Sequence, residues 1–302
     1  MLLYRKIGAV LGEANCIQSL GDISARRSDV DTARAAFELA LSLHRKIGST
    51  LGEANCIAKL GDISLRRSDL DSACAAYAQA LPLYRKIGSI LGESNCTQKL
   101  GDIALRCSDF VTAFALYEQA LPLVRKIGEV NSEANCIARL GVVALKRADL
   151  DAARAAFGEA LPLFRKVSDV QGEANCFWGL GAIAVQRSNH DGAREAFEAA
   201  VPLYRKVGDV LGEGNCISSL GEIAAKEQRP EAARTLWQQA LALFARIPEP
   251  YSTGFTYLRL AHVAATPADR ASHLAAARAA WASIGRQDLI DQHLDGVAAP
   301  QV

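Results

Sequence analysis

The chain has 302 residues, of which 50% are hydrophobic and 22% are charged, a balance that predicts a folded protein with a large core. Its 34 Lys and Arg residues are matched by 33 Asp and Glu residues, so the formal net charge of +1 gives no general attraction for nucleic acid or anionic lipid. No uncharged apolar run approaches the ~18 residues that span a bilayer, and residues 1–8 lack a signal-peptide pattern. We therefore expect a cytoplasmic protein that binds neither nucleic acid nor membranes.

Residues 2–8 match the end of the second helix of a repeat that is described next, so the chain opens in mid-repeat and we expect it to be a piece of a longer protein. The segment LGEANCIQSLG at 11–21 returns from residue 51 and, with substitutions, from residues 91, 131, 171 and 211, always at a spacing of 40. Self-similarity at one fixed period predicts stacked helical or solenoid units, because one such unit cannot bury its apolar face alone. Residues 9–248 are thus predicted to form six repeats.

The first half of each repeat predicts a helix, here called helix A, over residues 11–27 of the first copy. Its apolar and small residues share one face at the i, i+3, i+4 spacing. These residues are Ala14, Ile17, Leu20, Gly21 and Ser24.

The second half predicts helix B, which follows a short polar break at Ser28 and Asp29, with Asp31 as its expected cap. Gly48 is expected to end helix B, and Gly12 or its equivalent to open the next unit. Each copy is therefore predicted to be an antiparallel helical hairpin. The expected buried face of helix B consists of Ala33, Phe37, Ala40, Leu41 and His44.

The repeat weakens after residue 248. Residues 249–285 predict a degenerate seventh hairpin, and residues 286–302 predict a capping helix, expected over 288–297, and a tail. We expect residues 1–302 to form a single solenoid.

The order of large, small and aromatic residues in each copy resembles the tetratricopeptide repeat. Leu-Gly recurs at 20–21, 60–61, 100–101, 140–141, 180–181 and 220–221, and helix B carries Phe37, Tyr77, Tyr117, Phe157, Phe197 and Trp237. The period of 40 residues is similar to the variant in kinesin light chain, in LGN-type scaffolds and in bacterial signalling arrays. The resemblance implies an all-α fold, an α/α solenoid in which antiparallel hairpins form a right-handed superhelix.

The resemblance also implies that ligands bind on the concave surface, which helix A lines with Asn15, Gln18, Asp22, Arg26 and their equivalents. An asparagine is a mediocre helix former, so its recurrence in every copy suggests a ligand-binding row of amides. Alternatively, each asparagine caps its own helix or bonds the neighbouring repeat. Trp178 is a candidate anchor for a partner, or else a core residue that packs against repeat four. The candidate binding residues are Asn15, Asn55, Asn95, Asn135, Asn175, Asn215 and Trp178.

Charged residues also recur at fixed positions. Asp22 and Arg26, four residues apart, are expected to neutralise each other within one helix, as are their equivalents. The Arg-Lys pair that ends helix B could form a basic stripe for an acidic partner. We favour a structural role, in which these cations complement the helix dipole and pair with the glutamate that opens the next helix A.

Six of the eight cysteines occupy one repeat position, and equivalent residues on packed helices lie ~8–10 Å apart, beyond the ~7 Å limit for a disulfide. We expect buried free thiols that bind no metal. These are Cys16, Cys56, Cys96, Cys136, Cys176 and Cys216.

The sequence contains no phosphate-binding loop, His-Glu-x-x-His motif or Cys-x-x-Cys pair, so we expect neither an enzyme nor a cofactor. The predicted function is a scaffold that binds a peptide or protein segment in the concave groove. Two alternatives remain: a sensor or regulatory segment of a multidomain NTPase-type signalling protein, and a self-assembling array with weak self-association.

Overall fold

The computed structural model describes Tyr4 and residues 8–295, in which there are helices and turns but no strand. The chain divides into two compact units, Met1–Asp149 and Leu150–Val302. No helix in the described part of the chain combines the length and the apolar character needed to cross a bilayer. The first unit contains α1 (Val10–Arg26), α2 (Val30–Lys46), α3 (Thr50–Arg66), α4 (Leu70–Lys86), α5 (Ile90–Arg106), α6 (Phe110–Ile127) and α7 (Val130–Lys146). The second contains α8 (Leu150–Lys166), α9 (Val170–Gln186), α10 (His190–Val207), α11 (Val210–Lys226), α12 (Pro230–Phe244), α13 (Pro250–His262), α14 (Pro267–Ala282) and α15 (Gln287–Ile290), followed by a π-helical turn at Asp291–Asp295.

The helix boundaries follow from side-chain caps. Asp29 accepts a hydrogen bond from the backbone N–H of Thr32 at 3.1 Å and so caps α2. The expected cap Asp31 is therefore wrong: it lies in the first turn of the helix, past the position whose side chain can reach a free N–H. Ser49 caps α3 in the same way, through the N–H of Gly52 at 3.4 Å.

Left-handed residues close the turns between helices. Gly48 has φ +69°, which confirms the prediction that it ends helix B. The turn inside the first hairpin uses a non-glycine residue, Ser28, at φ +62°. Gly12 lies in the first turn of α1 and its equivalents lie in the first turns of their helices, in agreement with the expectation that this position opens each unit.

Glycines in the first turn of helix A make room for the large side chain at the end of the preceding helix B. A Cβ built on Gly52 would lie 2.1 Å from Nδ1 of His44, and one built on Gly92 would lie 2.2 Å from Cδ1 of Tyr84. Real atoms do not approach so closely, so this position accepts only glycine while the facing ring is present. The fourth copy has Ser132 at this position and the smaller Val124 at the end of its preceding helix B.

The core of the first unit joins each hairpin to the next. Ala33 and Phe37 of α2 cluster with Ile63 of α3, and Leu60 packs against the same cluster. Leu20, which we expected to be buried, is 50% exposed. Leu60, the equivalent residue of the second repeat, packs against that cluster, so the prediction is wrong for Leu20.

Most of the other residues of the predicted faces are buried, whereas Ser24 and Leu41 are half-buried. Ala33, Phe37, Ala40 and His44 are buried on α2, and Ala14, Ile17 and Gly21 are buried on α1. The all-α prediction is confirmed, and within each unit the hairpins stack as in an α/α solenoid.

The cysteines of the repeat position lie at the seams between hairpins, as the packing of Cys56 against Ile17 and Ala40 illustrates. Their burial confirms the apolar structural role, except that Cys16 is only half-buried. The thiols are free, and Cys74 and Cys107, outside the series, are exposed. The buried members are Cys56, Cys96, Cys136, Cys176 and Cys216.

The second unit ends in helices α13 and α14, which lie within the segment predicted as a seventh hairpin. Trp281 of α14 is fully buried and clusters with Leu289 and Ile290 of α15. The expected capping helix at 288–297 is corrected: α15 spans four residues and the chain continues as the π-helical turn. Residues 296–302 lie outside the described residues, as do residues 1–3 and 5–7 of the predicted helix B end, and the single solenoid over 1–302 stays a prediction.

Candidate functional site

The candidate site is the helix A face, by which we mean the surface formed by positions 15, 18, 19 and 22 of helix A and their equivalents. Its charges pair between repeats. Lys59 Nζ lies 3.4 Å from a carboxylate oxygen of Asp22, and Arg139 Nε lies 3.2 Å from Asp102. The predicted pairing of Asp22 with Arg26 within one helix is wrong, because the carboxylate points toward the cation of the next helix A.

Buried tyrosines of helix B donate hydrogen bonds to two aspartates that are equivalent to Asp22. The hydroxyl of Tyr77 donates to Asp62 at 2.6 Å, and that of Tyr117 donates to Asp102 at 2.7 Å. Burial, together with this hydrogen bond, raises the pKa of Tyr77, so the phenol stays protonated and donates. The helix A face is therefore fixed from the core side in the repeats that carry tyrosine.

Two of the six predicted asparagines have structural partners. The Oδ1 of Asn55 accepts from the hydroxyl of Tyr84 at 2.7 Å, and that of Asn175 accepts from Tyr204 at 2.9 Å. Each tyrosine belongs to helix B of the same repeat, 29 residues later. These two amides are therefore oriented by their own hairpin.

The other four asparagines have no such partner, because the residue 29 positions later is not tyrosine. Asn135 donates to the backbone oxygen of Asn131 at 2.9 Å, within its own helix. Across the described residues, no hydrogen bond involves the side-chain amides of Asn15, Asn95 or Asn215. The alternative that each asparagine caps its helix is wrong, since Ser49 caps α3 six residues before Asn55.

In the first unit, Asn55 and Asn95 line one pocket of about 480 Å³. Lys59, Asp62 and Lys99 line it as well, and Gln18 and the two tyrosines contribute to its wall. The pocket thus combines amides with both signs of charge. Lys59 pairs with Asp22, whereas the described residues offer no ion pair to Lys99.

In the second unit, Trp178 and Asn215 line one pocket of about 420 Å³. Tyr251, Phe255 and Arg259 of α13 complete it, so three aromatic side chains surround an amide and a cation. The sequence predicted a helical hairpin here but not that α13 lines a pocket, although extending the 40-residue register one further step places Phe255 at the asparagine position. This equivalence is hard to recognise, because the repeat pattern is weak after residue 248.

Trp178 has contacts both in the core and at the surface. Its side chain packs against the core cluster that contains Ala174 and Phe197, and it also lines the pocket beside Asn215. The residue is half-buried. Its packing partners belong to the fifth and sixth repeats, so the structure assigns it contacts that the sequence could not specify.

In the first five repeats, the arginine that ends helix B pairs with the glutamate eight residues later, which confirms the structural role of these charges. Arg45 Nε lies 2.8 Å from Glu53, Arg85 lies 2.8 Å from Glu93, and Arg165 lies 2.7 Å from Glu173. Arg125 and Arg205 pair in the same way with Glu133 and Glu213. A basic stripe for an acidic partner is therefore not supported at these arginines. The part of the chain that the structure describes contains no group of three or more His, Cys, Asp or Glu side chains that could hold a metal ion.

Comparisons with known proteins agree with this arrangement. A model described as "Tetratricopeptide repeat" matches residues 93–166 and 133–206, and one for the soluble NSF attachment protein, SNAP, matches residues 14–127. No curated protein gives a significant sequence match.

Solved structures show the same fold at low identity. The apo form of RapI has a TM-score of 0.74 at 14% identity, over 93% of this chain and 99% of RapI. Aspartyl phosphate phosphatase F from Bacillus subtilis has a TM-score of 0.70 at 13% identity, over 99% of this chain and 76% of that one. The Rap conjugation gene regulator of plasmid pLS20, in complex with the Phr* peptide, has a TM-score of 0.63 at 16% identity, over 100% of this chain and 80% of the regulator. The chain is thus similar to tetratricopeptide repeat proteins: that model matches residues 93–206, and the 40-residue repeat and the helical fold agree with it.

Proposed function

We propose that this chain is a binding protein that holds an extended peptide or protein segment on its helix A face. The observation that carries the proposal is the pocket of the first unit, where Asn55 and Asn95 stand beside Lys99. A carboxamide both donates and accepts, so a row of amides can bond the backbone of a peptide whatever its side chains. Asn55, which Tyr84 already orients, also loses little conformational freedom on binding.

The solved neighbours support this proposal at the level of the fold. One is the regulator of pLS20 with the Phr* peptide, and another is a Rap protein complexed with Competence and Sporulation Factor. Identities of 16% carry no information on which residues bind, so the positions proposed here rest on this chain's own geometry.

The two pockets suggest different preferences. Lys99 adds a cation to the amides of the first unit, which favours an acidic side chain or a terminal carboxylate at that point. In the second unit, Trp178, Tyr251 and Phe255 form an aromatic wall that suits a large apolar side chain. We therefore expect the first pocket to select a ligand segment by its charge and the second pocket to select one by the shape of an apolar side chain.

The test is selection of peptides from a random display library on the whole immobilised chain, followed by affinity measurement with the selected peptide. For a peptide selected on the first pocket, Asn95→Ala should weaken binding by ~0.5–1.5 kcal/mol, the usual loss of one hydrogen bond. For one selected on the second, Trp178→Ala should cost ~2 kcal/mol or more. Gln119→Ala, which removes an exposed amide from helix B, is the matched control and should bind normally.

Two results would contradict the proposal. One is a library that yields no binder, and the other is a selected peptide whose affinity falls with Gln119→Ala but not with Asn95→Ala or Trp178→Ala. Melting temperature is measured for every variant. Ala is a better helix former than Asn, so Asn95→Ala should fold normally.

The proposed function includes no catalytic step, in keeping with the repeat family, although one fold neighbour is named a phosphatase. We also propose the cytoplasm as the location, since free cysteines at eight positions are typical of reducing compartments.

A further inference from the structure

A second kind of cavity lies away from the helix A face, within the second unit. Helices α8, α9 and α10 enclose a cavity of about 600 Å³, here called the α8–α10 cavity. This volume falls within the ~300–1,000 Å³ typical of small-molecule sites. Its walls come from helix B of the fourth repeat and from both helices of the fifth.

Small side chains open the cavity at this seam. Gly158 of α8 stands where the other hairpins have Glu38, Ala78, Glu118, Glu198 and Gln238. Ala199 of α10 stands where they have Leu39, Gln79, Gln119, Glu159 and Gln239. A Cβ built on Gly158 meets no atom within 4 Å, so the space above this residue is open.

The floor of the cavity is apolar. It is formed by Phe177, Leu180, Ile183 and Ala184 of α9, with Ala196 from α10. Phe177 replaces the isoleucine or threonine of the other repeats, and the guanidinium carbon of Arg165 lies 5.5 Å from the centre of its ring. This contact fixes one face of the ring and leaves the apolar floor available to a ligand.

The charged groups of the wall favour an anion. Arg154 and Arg187 line the cavity, and Arg187 pairs with Asp151, whereas Arg154 has neither a hydrogen bond nor an ion pair among the described residues. The cap of α10 at the same wall is the neutral Asn189, in the place of the aspartate that caps α2, α4 and α6. Glu195 is the carboxylate that lines the cavity, and Asp151 already neutralises Arg187, so Arg154 is the lining cation that is available to a ligand.

We infer that the α8–α10 cavity binds an organic monocarboxylate with an apolar body, whose carboxylate faces Arg154 and whose body lies on Phe177 and Leu180. An arginine beside a carboxylate forms a charge-assisted hydrogen bond, which is stronger than a neutral one. Burial of the apolar body supplies the non-directional part of the affinity. The site is independent of the peptide site proposed above, because no residue lines both the cavity and the pockets of the helix A face.

The probe is octanoate, titrated into the whole chain by calorimetry, with octylammonium as a probe of the same length and opposite charge. Octanoate should bind and raise the melting temperature, and octylammonium should bind at least about tenfold more weakly. Arg154→Gln should weaken octanoate binding about tenfold, the loss expected for one charge-assisted hydrogen bond. Glu195→Gln should strengthen it about two- to fivefold by removing a like charge.

The decisive variant is Gly158→Gln, which installs the residue that the sixth hairpin carries at this position. The new side chain should fill the mouth of the cavity and abolish octanoate binding, while its higher helix propensity keeps the melting temperature at or above that of the parent chain. Ala78→Gln makes a chemically similar change at the equivalent position of the second hairpin and should leave octanoate binding unchanged.

Three outcomes would overturn the inference. Octanoate that gives no heat and no thermal shift at millimolar concentration excludes the site. Equal binding of octanoate and octylammonium excludes carboxylate recognition. Binding that survives Gly158→Gln in a variant of normal melting temperature places the ligand elsewhere.

Discussion

The imidazole of His44 is 1% exposed and packs against Gly52, where other repeats place Tyr84, Phe164 or Tyr204. Neither ring nitrogen has a hydrogen-bond partner among the described residues. A buried polar group without a partner costs ~1–3 kcal/mol. Burial also lowers the pKa of His44, because it disfavours the charged imidazolium.

This environment predicts that His44 makes the protein sensitive to acid. The pKa is lower in the folded state than in the unfolded state, so the unfolded chain binds the proton more tightly. The full contribution of neutral His44 is therefore present above the unfolded pKa of ~6.5, and stability falls as the pH drops below that value.

His44→Tyr should remove this acid sensitivity and raise the free energy of unfolding at pH 7 by ~1–2 kcal/mol. The space beside the first-turn glycine accommodates a tyrosine in the next repeat, where Tyr84 packs on Gly92 and donates a hydrogen bond to Asn55. Denaturant unfolding at pH 7 and pH 5 measures both effects. His44→Phe is the control, since it lacks the hydroxyl that would reach Asn15, and equal acid sensitivity in all three proteins would contradict the prediction.

The buried cysteines should not react with thiol-specific reagents while the protein is folded. Burial raises the pKa of Cys56, Cys136 and Cys216 to about 12, so their reactive thiolate is scarce at pH 8. We expect a thiol-specific reagent to modify the exposed Cys74 and Cys107 rapidly and the buried ones only after denaturation. Mass spectrometry of the modified peptides identifies the sites, and rapid native labelling of Cys136 would show that the seam between hairpins is open.

At the scale of the elements, the contact between hairpins depends on a ring that faces a glycine. A Cβ built on Gly172 would lie 2.2 Å from Cδ1 of Phe164, so Gly172→Ser should destabilise the second unit by ~1–3 kcal/mol through overpacking. The fourth copy offers the compensating pair, since it combines Val124 with Ser132.

A double-mutant cycle tests this relation. Gly172→Ser should be less damaging in the background of Phe164→Val than alone, with a coupling of ~1 kcal/mol or more between the two substitutions. Thermal unfolding of the four proteins gives the coupling. Strict additivity would mean that the ring and the glycine do not constrain each other.

At the scale of the whole molecule, consecutive hairpins within each unit share their cores, so each one is stabilised by its sequence neighbours. Tyr204 of α10 clusters with Cys216 and Ile223 of α11, for example. In such an array the free energy of unfolding is close to a sum over units and their interfaces.

Truncation after Gly208 should therefore leave a helical protein of lower stability. The shortened chain loses α11 to α15, so the fifth hairpin, now the last, no longer has α11 packed against it. Circular dichroism should show helical content in proportion to the residues retained, and the melting temperature should fall. Complete loss of helical signal would contradict the solenoid description.

The sequence by itself determined the repeat, the class of fold, and most of the residues that face the core. These properties depend on local periodicity: the spacing of Ala33, Phe37 and Ala40 specifies the buried face of α2 whatever lies against it. The pairing of Arg45 with Glu53 could also be predicted, because the two residues lie on either side of one short turn.

Only the tertiary structure decided which side chains of different helices meet. Asp22 pairs with Lys59 rather than Arg26, Asn55 bonds Tyr84 while Asn95 stays unpaired, and Phe255 joins Trp178 in one pocket. These contacts join residues 29 or more positions apart. Their geometry follows from how the helices pack, so one helix's periodicity cannot specify them.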